Sequence, residues 1–346
     1  MLWWYDVHGR RDLPWQHPRT PYRVWLSEVM LQQTQVATVV PYFERFVREL
    51  PDVAALAAAP LERVLALWAG LGYYSRAHNL HRAAQRCVEA HGGELPQDVA
   101  SLAALPGIGR STAAAIAAQA HGARHAILDG NVRRVLSRRH GIDGDPAAAA
   151  THSKLWALAE SLLPGDRLAD YTQAQMDLGA TLCRRRNPAC ERCPVSDDCH
   201  ARAHDAQHQL PAPKRRRASP EREVVLLLAT DASGRVLCEA RPPHGIWGGL
   251  FSVPEFGDRD ALERERERLA LSPPIALAPF SHAFTHFRLH ARPYAARVAA
   301  AAAIGDNARR WVARDELDAL PFPTPIRRLL LDYWNAACPA PSTAPA

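Results

Sequence analysis

The chain has 346 residues, with 47% apolar and 23% charged side chains; it is long enough for two domains and too apolar to be disordered. Its net charge of +6 admits a polyanionic partner without requiring one, and no apolar run approaches the ~20 residues of a membrane span. The start Met1-Leu2-Trp3-Trp4 shows no basic leader or cleavage site, so a cytoplasmic protein with no membrane association is expected. Residues 1–200 read as all-helical. Ala, Leu and Val recur at helical spacing between Gly and Pro punctuation, predicting helices over about 22–33, 36–49, 61–69, 75–91, 110–121, 131–139, 152–163 and 170–182. Residues 201–222, with the run Lys214-Arg215-Arg216-Arg217, read as a basic linker. From 223 to 336 the texture is α+β: an apolar run over 223–230, a turn at Asp231–Gly234, then strand-like pieces at 236–238, 250–256 and 282–298, with helices at 258–269 and 325–334. The Pro/Ala/Ser tail, 337–346, is expected to be disordered.

Four of the seven cysteines, Cys183, Cys190, Cys193 and Cys199, fall within seventeen residues. Thiolates are soft ligands for iron–sulfur clusters or zinc. Zinc sites usually pair two short-spaced couples across a longer gap, whereas here one couple, Cys190/Cys193, is flanked by single cysteines. Upstream, Leu105-Pro106-Gly107-Ile108-Gly109-Arg110-Ser111 opens an Ala-rich helix. Gly107 and Gly109 let the backbone approach a phosphate, and the helix N-terminus, including Ser111, offers it free N–H groups. Two carboxylates stand out. Glu28 lies among Trp25, Leu26, Val29 and Met30, where poor solvation raises an acid's pKa and suits a proton donor. Asp129, in Leu128-Asp129-Gly130-Asn131, reads either as a helix cap or as a second reacting carboxylate. Cleavage of a glycosidic bond uses such a pair: one acid for the leaving group, one carboxylate facing the oxocarbenium-like sugar. The arginines Arg124, Arg133, Arg134, Arg138 and Arg139 are expected to help hold a nucleic-acid backbone.

The cysteine spacing and the glycine hairpin resemble the [4Fe-4S] loop and helix-hairpin-helix of the endonuclease III superfamily. Leu13-Pro14-Trp15-Gln16, Ser27–Val36, Trp68–Tyr74, Leu128–Val132 and Met176–Ala180 resemble, over about residues 3–335, the MutY-type adenine DNA glycosylases. That resemblance implies an all-α glycosylase domain over 1–200 with a [4Fe-4S] cluster on Cys183, Cys190, Cys193 and Cys199. It also implies a Nudix-like α+β domain over 223–336, and removal of adenine mispaired with 8-oxoguanine or guanine in double-stranded DNA by a bacterial, nucleoid-acting monomer. Carried over by motif, Glu28 would protonate adenine N7 and Asp129 would stabilise the sugar cation, with Asn131 holding Asp129 or water. Leu13, Trp15 and Gln173 would form the adenine pocket. Gln33 and Tyr73 would enter the duplex, and the target base must first leave the stack. A lyase of the endonuclease III type, acting on oxidised pyrimidines, is the alternative. It needs an amine nucleophile two residues after Gly109, where this chain has Ser111, and Lys154 and Lys214 are the only lysines. Ala240–Leu250 resembles Nudix domains, but Leu262–Arg268 lacks their magnesium-binding Glu box, which implies a damaged-base reader and not a pyrophosphatase. Two segments match the family's lesion-reading loop. Phe280-Ser281-His282 matches the letters, and Phe284-Thr285-His286 matches the wider context; the second is the one expected to act.

Overall fold

The computed structural model describes residues 1–145, 148–212, 219–243, 245–298 and 309–337. Lys214–Arg217, His244 and the tail from Cys338 lie outside the described residues. The chain divides into two compact units, Met1–Ala59 with His78–Arg216, and Pro60–Ala77 with Arg217–Ala346.

Among the described residues the chain before Glu221 forms helices only: α1 (Leu2–His8), α2 (Pro21–Leu31), α3 (Val36–Glu49), α4 (Val53–Ala58), α5 (Leu61–Trp68), α6 (Ser75–Ala90), α7 (Val99–Ala104), α8 (Arg110–His121), α9 (Gly130–His140), α10 (Ala149–Ser161), α11 (Leu168–Asp177) and α12 (His200–Ala203). Their starts follow local chemistry. Thr20 caps α2 with Pro21 in its first turn, and Asp52 and Asp98 cap α4 and α7. Helices α1, α4 and α7 are too short for a periodicity to register and were not expected. The helix predicted over 170–182 ends at Asp177 and continues as one π-helical turn, Leu178–Leu182. The predicted linker is partly structured: Ala201, Ala206 and Leu210 are buried together with half-buried Cys199 against them, and the first strand already begins at Glu221. Three apolar residues spread over ten positions give no periodic signal.

A mixed sheet follows: β1 (Glu221–Thr230), β2 (Val236–Ala240), β3 (Phe251–Ser252), β4 (Glu255–Phe256), β5 (Ile275–Ala276), β6 (Phe280–Ala283), β7 (Arg288–Arg297) and β8 (Arg309–Val312), with α13 (Arg259–Arg268) and α14 (Thr324–Ala337). Its main path runs β3-β2-β1-β7-β5. The long β1 and β7 pair in parallel from Glu221↔Arg288 to Thr230↔Arg297. Leu227, Leu237, Leu262, Leu271 and Ala296 form a core on it. Residues 284–287 interrupt the expected 282–298 strand and turn β6 back onto β7, closed by Phe284 N–H donating to the Phe287 carbonyl at 2.9 Å.

Candidate active site

Helices α2 and α8 pack together and bring Gln119 to Glu28. The Gln119 Nε2 donates to Glu28 Oε1 at 2.8 Å. Trp25, Leu26 and Met30 on the same helix are fully buried. Burial pushes the Glu28 carboxyl up to about 7; the negative charge of Asp129 adds to the rise, and the Gln119 hydrogen bond opposes it. Asp129 is thus within electrostatic reach of Glu28. Of the two readings its sequence allowed, the helix cap is the one seen directly in Asp129. It caps α9, accepting from Val132 N–H at 2.7 Å, and its other oxygen faces the Asn131 amide at 3.4 Å. Burial raises its pKa, while the backbone N–H groups of Val132 and Asn131 and the charges of Arg134 and Arg133 favour its ionised form. The cap is thus a half-buried carboxylate pinned in one direction.

Helix α9 also holds the cysteine loop. Arg134 donates to the Cys183 carbonyl at 2.7 Å, to the Gly179 carbonyl at 2.7 Å and to Asn131 Oδ1 at 2.9 Å. One turn on, buried Arg138 donates to the carbonyls of Arg184, Arg185 and Leu210 and lies 3.5 Å from the Cys183 thiol. Arg139 pairs with Asp198, and Arg124 donates to the Leu163 carbonyl. Four of the five arginines expected on a nucleic-acid backbone are therefore engaged within the protein. A helical face carrying Arg at i and i+4 looks the same in sequence whether it meets phosphates or carbonyls. The exposed Arg184, Arg185, Arg186 and Arg192 remain at the surface of the loop.

Cys183, Cys190, Cys193 and Cys199 line one pocket with Arg138 and Gln207. Among the described residues no three His, Cys, Asp or Glu side chains are close enough to hold one metal ion. Four soft sulfur donors lining a shared space suit a multi-iron cluster.

At the hairpin, Gly107 has φ +77°, and a Cβ there would meet Asn79 Cβ at 2.7 Å, so only glycine fits. Gly109 is the N-cap of α8, with nothing within 4 Å of its missing Cβ. Ser111 faces inward: its Oγ accepts from Leu128 N–H at 2.9 Å and braces the segment leading to Asp129. Leu13 and Trp15 are buried at the turn Pro14–Gln16. Gln173 is buried on α11 and donates to Asp177 at 2.8 Å. Gln33 is exposed just past α2 with φ +60°. Tyr73 is 45% exposed with φ +50°; Arg76 and Trp68 hold its loop by donating to the carbonyl of Gly72. A left-handed non-glycine at an exposed tip is a common mark of a functional site.

In the second unit, Phe284 is half-buried, stacks on Phe287 at 4.5 Å and lies 5.5 Å from Trp247, while Thr285 and His286 are exposed at the turn. Phe280-Ser281-His282 lies in β6, with the Ser281 hydroxyl hydrogen-bonded to His290 Nδ1 at 2.8 Å. On α13, Glu263 pairs with Arg259 and Arg266, and Glu265 with Arg268 and Arg309.

Three family models match the chain: the HhH-GPD superfamily of base excision DNA repair proteins over 26–161, the iron-sulfur binding domain of endonuclease III over 183–199, and the NUDIX domain over 224–332. An adenine DNA glycosylase of Buchnera aphidicola (from Acyrthosiphon pisum) is 32% identical over 96% of both chains. The chain belongs to the adenine DNA glycosylase family. The human adenine DNA glycosylase is 42% identical over 77% of this chain and 50% of its own. A thermostable thymine-DNA glycosylase structure matches 59% of this chain and 93% of its own with a TM-score of 0.54 at 30% identity. An endonuclease III–DNA complex, 21% identical, matches 60% and 94% with a TM-score of 0.51 and shares the fold.

This adenine DNA glycosylase is a base-excision repair enzyme with DNA as its substrate, and its cysteine loop fits a [4Fe-4S] cluster. No described helix is long and apolar enough to cross a membrane. Three of its site's supports were missed by sequence reasoning: Gln119, Arg10 and Asp177. Gln119 left one signal, a polar residue ending the buried run Ala113–Ala118. Asp177 stood in the motif Met176–Ala180 but its role did not show, and Arg10 left no signal, because their pairing spans 167 positions.

Proposed function

We propose that the enzyme removes adenine mispaired with 8-oxoguanine, or with guanine, from double-stranded DNA, acting as a monomer by hydrolysis without cutting the strand. The observation that carries the chemistry is the Glu28 carboxyl set among buried Trp25, Leu26 and Met30 and bonded to Gln119, within electrostatic reach of the capped carboxylate of Asp129. Glu28 delivers a proton to adenine N7 and makes the base a neutral leaving group. Asp129 faces the sugar as positive charge develops, and Asn131, held by Arg134, fixes its second oxygen or the attacking water. Leu13, Trp15 and Gln173 surround the extruded base. Gln33 and Tyr73 fill the gap that it leaves. Gly107, Gly109 and the N-terminus of α8 take a backbone phosphate.

Hydrolysis is favoured over lyase chemistry by the residues themselves. Ser111 stands where the lyase amine would be and is occupied by Leu128, and Lys154 is exposed on α10. The Phe284–Phe287 turn favours reading of 8-oxoguanine there: Phe284 supplies a supported aromatic wedge, and Thr285 and His286 an open hydroxyl and imidazole. The four cysteines would hold the cluster and keep the loop folded, exposing its arginines to phosphates.

The test is a duplex with one adenine:8-oxoguanine pair. Adenine should be released, and strand breaks should appear only after alkali. A borohydride-trapped adduct in high yield would establish the lyase instead.

A further inference from the structure

Gln173 and Asp177 lie one turn apart on α11. Asp177 is fully buried, and four donors converge on its two oxygens. Arg10 N–H reaches Oδ2 at 2.7 Å, and Arg10 Nε and Nη2 reach Oδ1 at 2.9 and 2.7 Å. Gln173 Nε2 also donates to Oδ1, at 2.8 Å. An amide has one acceptor and two donors, whereas a carboxylate held by an arginine can only accept. Turning the Gln173 amide over would set its oxygen against Asp177 Oδ1, losing a buried charge-assisted bond and opposing two acceptors.

We infer that Arg10 and Asp177 are a positioning pair that fixes which edge of the Gln173 amide meets the target base, and so select a base with a 6-amino group. The inference rests on the reading that Gln173 faces the adenine edge. With one N–H spent on Asp177, the amide presents its oxygen and its other N–H side by side. Adenine offers the complement, an amino donor next to a ring-nitrogen acceptor. Hypoxanthine offers the reverse, a carbonyl beside a ring N–H. It is rejected because the only amide orientation that suits it breaks the bond to Asp177. Specificity of this kind comes from buried polar groups that the wrong base leaves unpaired.

The test is single-turnover excision by the full-length, iron-loaded enzyme from duplexes carrying adenine, hypoxanthine or unsubstituted purine opposite 8-oxoguanine. Asp177→Asn offers Gln173 an amide that can either accept or donate, so the lock is lost. The adenine-to-hypoxanthine rate ratio should fall at least about tenfold, with purine excision changed less than threefold. Gln173→Ala should show the same fall, and the double variant no further one. Arg10→Lys keeps the charge but not the two-pronged grip, and should lower the ratio by about threefold; it decides the matter where Asp177→Asn does not fold. An unchanged ratio in folded Asp177→Asn or in Arg10→Lys, or an equal loss on all three bases, overturns the positioning role. An unchanged ratio in Gln173→Ala shows instead that Gln173 does not read the base.

Discussion

At Glu28 the burial that keeps a proton available at neutral pH also costs stability once that proton leaves. Its carboxyl is raised from 4.5 to about 7, so the folded protein binds the proton more tightly than the unfolded chain does. The favourable contribution is complete below 4.5 and is lost as pH rises through about 7. Adenine release should therefore decline above that pH. Glu28→Gln, which keeps the shape but has no acid proton, should lower release by at least ~100-fold while mismatch binding stays. The same variant should be more stable than the parent by about 3 kcal/mol at pH 8 and equal to it at pH 4. Urea unfolding at the two pH values checks this, and a variant no more stable at pH 8 would show that Glu28 is not buried as an acid. Glu28 and Asp129 were legible because a charge in an apolar run and an Asp before a helix are local patterns. Gln119, which tunes Glu28, was not, since its contact crosses 91 positions.

Helix α9 joins three tasks that the sequence presented separately. Asp129 caps it, Arg134 ties Asn131 to the Cys183 carbonyl, and Arg138 gathers the carbonyls of Arg184, Arg185 and Leu210. The loop and the Asp129 carboxylate thus share one rigid support. Arg134→Gln should slow adenine release about tenfold or more, because Asn131 and Asp129 lose their fixed orientation, and should also loosen the loop, since the Cys183 and Gly179 carbonyls lose their donor. Arg138→Met should act on the loop, leaving buried carbonyls unpaired and speeding iron loss to a chelator, followed by the visible absorption of the cluster. Among the helices that escaped prediction, α4 and α7 are six residues each; their caps, Asp52 and Asp98, were in plain view, but one turn and a half carries no period. The choice between two Phe-Ser/Thr-His segments, by contrast, rested on context, and the turn at 284–287 gives it a physical basis. Ser281 is already bonded to His290 within paired strands, so its hydroxyl is less free than that of Thr285. Phe284→Ala with Thr285→Ala should lower preference for 8-oxoguanine over guanine about tenfold, and Phe280→Ala with Ser281→Ala much less. A competition assay giving the reverse ranking, with both variants folded, would move lesion reading into the strand.

For the molecule as a whole, the proposed roles divide between the two units: Glu28, Asp129 and Gln173, proposed for excision, lie in the first, and the turn at 284–287, proposed for lesion reading, in the second. Residues in separate units that share no partner should contribute independently. The excision rate on adenine:8-oxoguanine should then respond to Arg134→Gln and to the Phe284→Ala/Thr285→Ala pair as a product of the two single effects, within about twofold. On adenine:guanine the second-unit variant should have little effect, since the oxidised base that it reads is absent, and only Arg134→Gln should slow the reaction. The electrostatic part of binding should behave differently again. With a net charge of +6 carried almost wholly by arginine, affinity should fall steeply between 50 and 200 mM salt for both mispairs, by ~10³-fold if about six phosphates are contacted. That loss should leave the ratio between the mispairs unchanged, because phosphates hold the duplex without identifying it. A cycle of single-turnover rates at two salt concentrations separates these contributions. Strong non-additivity on adenine:8-oxoguanine would mean that lesion reading acts through the excision site and not beside it.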